Sequence, residues 1–298
     1  MVTAVTESEA PASIAFGGQT VKTNGTALML LSDGNIKFDG GCVFGPVPKV
    51  QWEQMVSADR RNRITLGLNC LLIKNGNSCV LVDTGVGTKE PDTVKDQYGL
   101  STSRLAREFR QHGISPKDIT DVILTHLHCD HCGGSTRLDR AGASVPTFPN
   151  ATYHIQREAW EEATSPNERA KLSYHSDDFL PLEERGQINL LEGDDEVVPG
   201  VRVKVTDGHT PGHQMVLVNY GGERVAFLGD IIPTSHHLQL SNIASFDYNP
   251  EDTLNTKRSL LEEAEKGGWL MLFSHGSDPR AGYLERRNGN WNFRPVDF

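Results

Sequence analysis

The chain has 298 residues, enough for one or two domains, and no linker-like stretch divides it. Its 29 Lys and Arg residues against 39 Asp and Glu residues give a net charge of -10, which argues against a nucleic acid substrate. No apolar run approaches a membrane-spanning length, and the N-terminus has no basic and apolar leader. Five cysteines, an odd number, argue against a disulfide framework, so we expect a cytoplasmic protein without a membrane partner.

The first half of the chain begins with a polar stretch, and residues 1–20 are expected to form a flexible N-terminal segment. Residues 21–298 are expected to form one domain. Strands are predicted at residues 27–31, 68–73 and 78–83, and the Lys-Asn-Gly-Asn sequence of residues 74–77 predicts a hairpin turn between the last two. A helix is predicted from Ser103 to a stop at Gly113.

The second half alternates short helices and strands. Helices are predicted at residues 156–164 and 167–172, on an insertion suited to shaping a substrate lip. Strands are predicted at residues 201–206, 215–219, 224–228 and 270–274, with a helix over residues 252–266 before the last. Residues 283–287 and 291–293 predict a closing hairpin around Asn288 and Gly289. Two mixed sheets with helices outside would bury these strands.

Four potential metal ligands lie within six positions, directly after the short apolar strand predicted at residues 122–124. His126 and His128 are two apart, and such positions project to the same side of an extended backbone, so both imidazoles can face one ion. Beyond the strand, Asp130 and His131 can face a second ion nearby. A polar surface turn would require three of eleven histidines to cluster by chance. The pattern therefore indicates a metal site.

Two cysteines and two glycines accompany these ligands. Cys129 alternates with the ligand face and Cys132 follows the last ligand, so both are interpreted as small buried packing residues. Gly133 and Gly134 are expected to remove side chains where the backbone turns sharply beneath the site.

The His-x-His-x-Asp-His pattern of residues 126–131 resembles the signature of the metallo-β-lactamase superfamily of hydrolases. Four further landmarks agree with this family in the correct order: Asp-Thr-Gly at 83–85, Gly-His-Thr-Pro-Gly-His at 208–213, Phe-Leu-Gly-Asp at 227–230 and Phe-Ser-His at 273–275. The resemblance implies an α/β (α+β) fold, a four-layer αβ/βα sandwich in which helices flank two mixed sheets.

The resemblance also implies two divalent metal ions, one bound by three histidines and the other by a mixed set, with an aspartate between them. The implied ligands are His126, His128 and His209 for one ion, Asp130, His131 and His275 for the other, and Asp230 as the bridge. Imidazole and carboxylate ligands suit zinc, which is the default expectation, but they also suit manganese, iron or cobalt.

This ligand set implies a hydrolytic mechanism. A water that bridges two cations loses a proton near neutral pH, and the resulting hydroxide is the expected nucleophile. Asp130 and Asp230 are the candidate catalytic residues, since Asp230 is also placed to orient the hydroxide. Asp83 is expected either to accept a hydrogen bond from a ligating imidazole or to cap a turn. His213 is expected to form structural hydrogen bonds rather than to bind metal.

Residues 41–52 and 230–248 resemble the lactonase branch of the family, which includes acyl-homoserine lactonases, and the related organophosphate hydrolases. In many of these lactonases a tyrosine three residues after the bridging aspartate helps to polarise the lactone, whereas this chain has Pro233. His236, His237 or Tyr248 is an alternative donor. Adjacent histidines are, however, more often surface or hydrogen-bonded residues.

Aromatic residues are further candidates for substrate contacts. Phe44, Trp52, Phe246 and Tyr248 are candidates for an apolar wall around an acyl chain or an aromatic leaving group. An equally open interpretation is that all four residues are ordinary core aromatics.

The predicted function is the opening of lactones by a dinuclear metal hydrolase, with N-acyl homoserine lactones as substrates and quorum quenching as the outcome. Phosphotriester or arylester hydrolysis in the same site is the alternative. A β-lactamase is less favoured, because zinc β-lactamases tend to carry Cys or Ser at the position of Asp230. A metal-binding protein without turnover is the third hypothesis, and the intact ligand set argues against it. The expected partners are a small ester or lactone and a second copy of the chain in a homodimer.

Overall fold

The computed structural model describes residues 21–23, 26–287 and 290–298. The predicted flexible segment 1–20 and the predicted turn at residues 288–289 lie outside the described residues. The strands in chain order are β1 (Val21–Thr23), β2 (Thr26–Asp39), β3 (Arg63–Asn75), β4 (Ser78–Val82), β5 (Asp121–Ile123), β6 (Thr136–Leu138), β7 (Ser144–Pro146), β8 (Thr152–Gln156), β9 (Ile188–Leu191), β10 (Asp195–Val198), β11 (Val201–Val205), β12 (Gln214–Tyr220), β13 (Glu223–Phe227), β14 (Leu270–Leu272), β15 (Ala281–Arg287) and β16 (Asn290–Val296).

The helices are mostly short. They are α1 (Gly40–Phe44), α2 (Lys49–Trp52), α3 (Asp92–Gln97), α4 (Leu105–Gln111), α5 (Cys129–Cys132), α6 (Arg157–Thr164), α7 (Leu180–Glu184) and α8 (Pro250–Gly267). The described helices include none long and apolar enough to cross a membrane. All five cysteines lie in the described residues and are free.

One predicted helix is wrong. Residues 167–172 form no α-helix, and only Lys171–Ser173 forms a single 3₁₀ turn. The Asn167 side chain accepts hydrogen bonds from the backbone N–H groups of Arg169 and Ala170, so it caps a turn that is not continued. Tyr174, the next residue after the turn, has extended backbone and packs its ring against His128. This tertiary contact outweighs the local helical preference.

Two mixed sheets dominate the described part of the chain. The first has the order β1-β2-β3-β4-β5-β8-β9, and the second has the order β10-β11-β12-β13-β14-β15-β16. The first sheet is antiparallel from β1 to β4 and parallel from β4 to β9. The second is antiparallel except for the parallel pair β13 and β14. The predicted pairing of the last two strands is confirmed.

The sheets pack face to face, and helices cover their outer faces. Leucine, isoleucine and valine side chains from β2 to β5 meet those from β11 to β14 in one buried cluster. On the outer face of the first sheet, α4, α6 and α7 bury a second cluster. On the outer face of the second sheet, α8 buries a third. This arrangement of helix, sheet, sheet and helix confirms the predicted four-layer sandwich.

The parallel strand pairs position the candidate ligands. Val82 of β4 lies opposite Ile123 of β5, and Phe227 of β13 lies opposite Leu272 of β14. The carboxyl ends of parallel strands meet at one edge of a sheet. The segments that follow these four strands carry Asp83, His126 to His131, Asp230 and His275, respectively. Both sheets therefore deliver polar side chains to the same end of the sandwich.

A buried amide joins the two sheets beside this edge. Asn69 of β3 is 4 % exposed, and its Nδ2 donates to the carbonyl oxygens of Phe273 at 2.9 Å and Gly276 at 2.7 Å. These two residues flank the segment that carries His275. The interaction thus fixes the second sheet's histidine relative to the first sheet.

We expect Asn69→Ala to lower the free energy of unfolding, measured by urea denaturation, by about 1–3 kcal/mol for each carbonyl left unpaired. Asn75→Ala is the matched control, since Asn75 Nδ2 also bridges the sheets, to the Pro199 carbonyl oxygen at 2.6 Å, but on the exposed surface. Its expected cost is within about 0.5 kcal/mol. Equal losses for the two variants would contradict the importance assigned to burial.

Candidate metal centre and active site

Seven side chains meet where the two sheets end. Their ligand atoms form three overlapping groups, within each of which all atoms lie within 4.8 Å of one another. The groups are His126, His128 and His209; His126, His131 and Asp230; and Asp130, His131 and His275. The structure therefore brings together all seven residues that the sequence singled out as metal ligands.

The Asp230 carboxylate lies between the histidines of both sheets. Its Oδ1 is 3.2 Å from His131 Nε2 and 3.3 Å from His275 Nε2, while its Oδ2 is 3.5 Å from His209 Nε2. The Ser274 hydroxyl donates to Oδ1 at 2.9 Å and holds the carboxylate in this orientation. Each oxygen thus faces a different set of imidazoles, as a bridging ligand requires.

Hydrogen bonds on the far side of each ring determine which nitrogen faces the centre. His275 Nδ1 lies 2.8 Å from the Gly67 carbonyl oxygen, which can only accept, so Nδ1 carries the proton. His131 Nδ1 lies 2.7 Å from Asp83 Oδ2 and also donates. In the neutral rings, Nε2 of each therefore bears a lone pair, and these two atoms are 3.1 Å apart. A cation between them removes the repulsion.

On the other side of the cluster, His209 and His128 also approach each other through ring nitrogens. His209 Nδ1 lies 2.9 Å from Asp247 Oδ1, which leaves a lone pair on Nε2, 3.2 Å from His128 Nδ1. His126 Nε2 is buried and has no hydrogen-bond partner among the described residues. A buried nitrogen without a partner is costly in a protein interior. The residues present therefore fit a pair of divalent cations.

The charges of the cluster support this interpretation. Burial, together with the neighbouring rings of His131 and His128, holds the pKa of His126 well below its usual value. Burial also acts to lower the pKa of His131, but the carboxylates of Asp230, Asp83 and Asp130 outweigh it and raise that pKa. The pKa of Asp230 is held well below its usual range because His275 and His131 outweigh the effect of burial. The carboxylates thus favour positive charge among the inward-facing rings, whether it is carried by protons or by cations.

The two supporting residues predicted from the sequence lie directly behind the ligands. Asp83 accepts from His131 and from the backbone N–H and hydroxyl of Thr125, so it both orients an imidazole and stabilises a turn. His213 Nε2 accepts from the Asp230 backbone N–H at 2.9 Å, and its Nδ1 lies 2.6 Å from Thr206 Oγ1. Within the described residues, His213 belongs to none of the three ligand groups.

Asp247 is a supporting residue that the sequence analysis missed. It lies behind His209 as Asp83 lies behind His131, and the Thr253 hydroxyl donates to its other oxygen at 2.8 Å. It is 38 positions from His209 along the chain. The only local signal is its place beside Phe246, in a segment that the sequence analysis examined for aromatic residues.

The two glycines of the motif lie where other backbone segments approach closely. A Cβ on Gly133 would lie 2.4 Å from the Val86 carbonyl oxygen, and one on Gly134 would lie 2.2 Å from that of Thr84. Close backbone approach therefore requires both glycines.

Cys132 is buried, as predicted, but the prediction for Cys129 is wrong, because Cys129 is only partly buried and borders the cavity described next.

A cavity of about 380 Å³ opens onto the ligand cluster. His128, Asp130, Asp230 and His275 form its inner end. Most other lining residues are apolar or aromatic: Ile36, Phe38, Val43, Leu66, Val86, Val94, Tyr98, Leu100, Leu172, Pro233, Ala244 and Phe246. A mainly apolar pocket with a few convergent polar groups is typical of a small-molecule site.

The candidate substrate contacts fall into two groups. Phe246 and His237 border this cavity. Phe44 and Trp52 are each 1 % exposed, stack with ring centroids 5.7 Å apart and lie in a core cluster, so the structure places them off the cavity. The same holds for His236, which borders a neighbouring crevice, and for Tyr248, which is 53 % exposed outside this cavity. Packing and exposure favour the ordinary structural interpretation for these four.

His237 has no ring nitrogen left for a substrate. Its Nδ1 lies 2.8 Å from the Thr234 hydroxyl, and its Nε2 lies 3.1 Å from the Val43 carbonyl oxygen. Burial lowers the pKa of His237 to about 4, so the ring is neutral at physiological pH. The expectation that His237 replaces the tyrosine absent at Pro233 has no support in this geometry.

A four-layer sandwich with a cluster of histidines and aspartates at one end of both sheets defines the class of metal-dependent hydrolases. The sequence model of the Metallo-beta-lactamase superfamily matches residues 64–275. This chain belongs to that superfamily, and the predicted enzyme class is confirmed.

Individual relatives agree with this assignment. The chain is 27% identical to the N-acyl homoserine lactonase AiiA of Bacillus thuringiensis subsp. kurstaki over 228 residues, 71% of this chain and 82% of that protein. It is 30% identical to the N-acyl homoserine lactonase AttM of Rhizobium radiobacter over 181 residues, 59% of this chain and 65% of that one.

Solved structures show the same fold. A probable metal-dependent hydrolase from Staphylococcus aureus aligns with a TM-score of 0.84 and 29% identity, over 93% of this chain and 98% of that one. AidC, described as a dizinc quorum-quenching lactonase in complex with a product, aligns with a TM-score of 0.78 over 95% and 98% of the two chains. At 21% identity this second likeness supports the fold alone.

The carboxylate behind His209 yields a prediction about metal affinity. Asp247→Asn keeps the side-chain shape but removes the charge that fixes the His209 tautomer, so we expect metal affinity to fall about 10- to 100-fold. Competition with a chromogenic chelator measures this. The control Asp252→Asn changes an exposed aspartate in the first turn of α8 and should leave affinity within about twofold. Unchanged affinity in Asp247→Asn would contradict the supporting role.

Proposed function

We propose that this chain is a dinuclear metal hydrolase that opens lactones, with N-acyl homoserine lactones as its substrates. The observation that carries the proposal is the apolar cavity of about 380 Å³ that ends on the ligand cluster. An acyl chain fits apolar walls, and an ester carbonyl fits a polar inner end. The relatives named N-acyl homoserine lactonases, at 27% and 30% identity, support the same substrate class.

We further propose how the ligands are shared. His126, His128 and His209 would hold one ion and Asp130, His131 and His275 the other, with Asp230 as the ligand available to both. The three overlapping groups of ligand atoms support this division. Zinc is the proposed metal because imidazole and carboxylate ligands suit it, although manganese, iron and cobalt accept the same ligands.

When bound, the two cations supply an acidified water as the nucleophile and polarise the oxygen under attack. The chain's own residues supply position and exclusion of bulk water. Asp230, held by Ser274, orients the attacking water, while Asp83 and Asp247 keep the Nδ1 protons of His131 and His209 on the outer side of the cluster. The apolar side chains around the cavity bind the acyl chain and hold the ester at the inner end.

The first test offers metal-reconstituted protein N-acyl homoserine lactones of several chain lengths in a pH-stat, beside an aryl phosphotriester. We expect lactone opening with a preference for chains long enough to fill the apolar walls, since each buried methylene contributes about 0.8 kcal/mol. Fast phosphotriester cleavage with feeble lactone opening would instead support the alternative predicted from the sequence.

The second test removes the metal. Chelated protein should lose hydrolysis and unfold at a lower temperature, because a ligand at 100 times its Kd stabilises the native state by about 2.7 kcal/mol. Zinc should restore both properties. His126→Ala should bind less metal, whereas the control His154→Asn alters a histidine that is bonded to Asp121 at 2.8 Å, outside the cluster, and should keep the full metal content. Full activity in metal-free protein would overturn the proposal.

The predicted cytoplasmic location and the predicted homodimer belong to this proposal as well. The free state of all five cysteines, which lie in the described residues, is consistent with a reducing compartment.

A further inference from the structure

One wall of the cavity carries an ion pair that the proposed hydrolysis does not use. His175 Nδ1 lies 3.1 Å from Glu90 Oε1, and the side chains are 40% and 12% exposed. Both residues border the same cavity as the ligands His128 and Asp130. A polar pair within largely apolar walls suggests a specific contact with the ligand.

The pair leaves one nitrogen of the ring free. Glu90 is an acceptor and engages Nδ1, while Nε2 has no hydrogen-bond partner within the part of the chain that the structure describes. An imidazolium held in this way therefore offers a second N–H to an oxygen in the cavity.

The position of His175 is fixed from both sides. The preceding residue, Tyr174, is buried against the ring of His128, with centroids 5.1 Å apart. Three residues later, Asp178 Oδ1 lies 2.8 Å from Lys89 Nζ. Lys89 also donates to the carbonyl oxygens of Gly133 and Thr136, just after the metal motif. His175 is thus held at a defined place relative to the ligands.

Other polar groups on the wall are less suitable as donors to a substrate oxygen. Both ring nitrogens of His237 are engaged, Glu90 can only accept when ionised, and Gln97 is exposed. Tyr98 and Ser173 are the principal competing donors, since both are partly buried and border the cavity.

We propose that His175, oriented by Glu90, is a specificity-determining residue whose Nε2 donates to the amide carbonyl oxygen of the acyl group. This inference rests on the proposed function, because an N-acyl homoserine lactone has such an amide and a simple alkyl lactone does not. The reacting ester lies at the metal cluster, whereas the amide lies between the ester and the apolar chain. A donor on the wall of the cavity that both regions share suits it.

The charges around His175 favour the donating form. The hydrogen bond to Glu90 raises the pKa of His175 against the opposing effect of burial, and the carboxylate of Asp178, 3.9 Å away, raises it further. Lys89 opposes them. When pH rises through this pKa, Nε2 loses its proton and presents a lone pair to the carbonyl oxygen, so recognition of the amide weakens.

The test uses metal-reconstituted full-length protein and two γ-lactones of equal chain length, one with an N-acyl amide and one with an alkyl chain. The readout is the ratio of their kcat/KM values, in which effects on the shared metal centre cancel. His175→Phe should lower this ratio about 10- to 150-fold, which corresponds to the about 1.5–3 kcal/mol contributed by a hydrogen bond to a charged group. Opening of the alkyl lactone should change less than about twofold.

Further variants test the role of Glu90 and separate His175 from the competing donors. In Glu90→Gln the ratio should fall at a lower pH than in wild type, because the pKa of His175 loses its main support. Tyr98→Phe and Ser173→Ala should each leave the ratio unchanged.

An equal loss for both lactones in His175→Phe, or a change of the ratio only in Tyr98→Phe or Ser173→Ala, would overturn the inference while leaving the proposed function intact. A wild-type protein that opens neither lactone would overturn the proposed function and this inference together.

Discussion

The need for positive charge among buried ligand atoms is the constraint on which the rest of the structure depends. Imidazole nitrogens and carboxylate oxygens crowd together, and the carboxylates raise the pKa of His131 and His275, so protons or cations must lie among them. Each supporting contact opposes their separation: Asp83 and Asp247 from behind the rings, Ser274 beside the bridging carboxylate, and the Gly67 carbonyl behind His275. The protein therefore holds these ligand atoms in a geometry that favours bound cations.

The division of this site between two sheets explains why no single segment forms it. The first sheet provides His126 to His131, and the second provides Asp230 and His275. Face-to-face packing of the apolar inner faces brings the two edges together, and the Asn69 amide joins them by hydrogen bonds beside the ligands. Consequently, the packing that stabilises the sandwich also assembles the centre.

Sequence alone could predict those parts of the site that depend on local spacing. The four ligands between His126 and His131 are visible without any fold, because their density is improbable otherwise. Asp247 and the Gly67 carbonyl are not visible in this way, since they reach their histidines through tertiary packing and the carbonyl has no side-chain signature. The aromatic candidates show a similar limit: composition marks Phe44 and Phe246 alike, but only packing separates a core ring from one on the cavity wall.

The ion pair between Lys89 and Asp178 has a consequence for how this family member could diversify. Asp178 lies in the segment between α6 and α7, and Lys89 lies in the loop between β4 and α3. Replacing the segment between α6 and α7 with one that lacks the acid would leave a nearly buried ammonium without its counter-ion, at a cost of several kcal/mol. Exchange of this loop, by recombination or in the laboratory, is therefore workable only where the acidic residue travels with the loop or the lysine is changed in the same step.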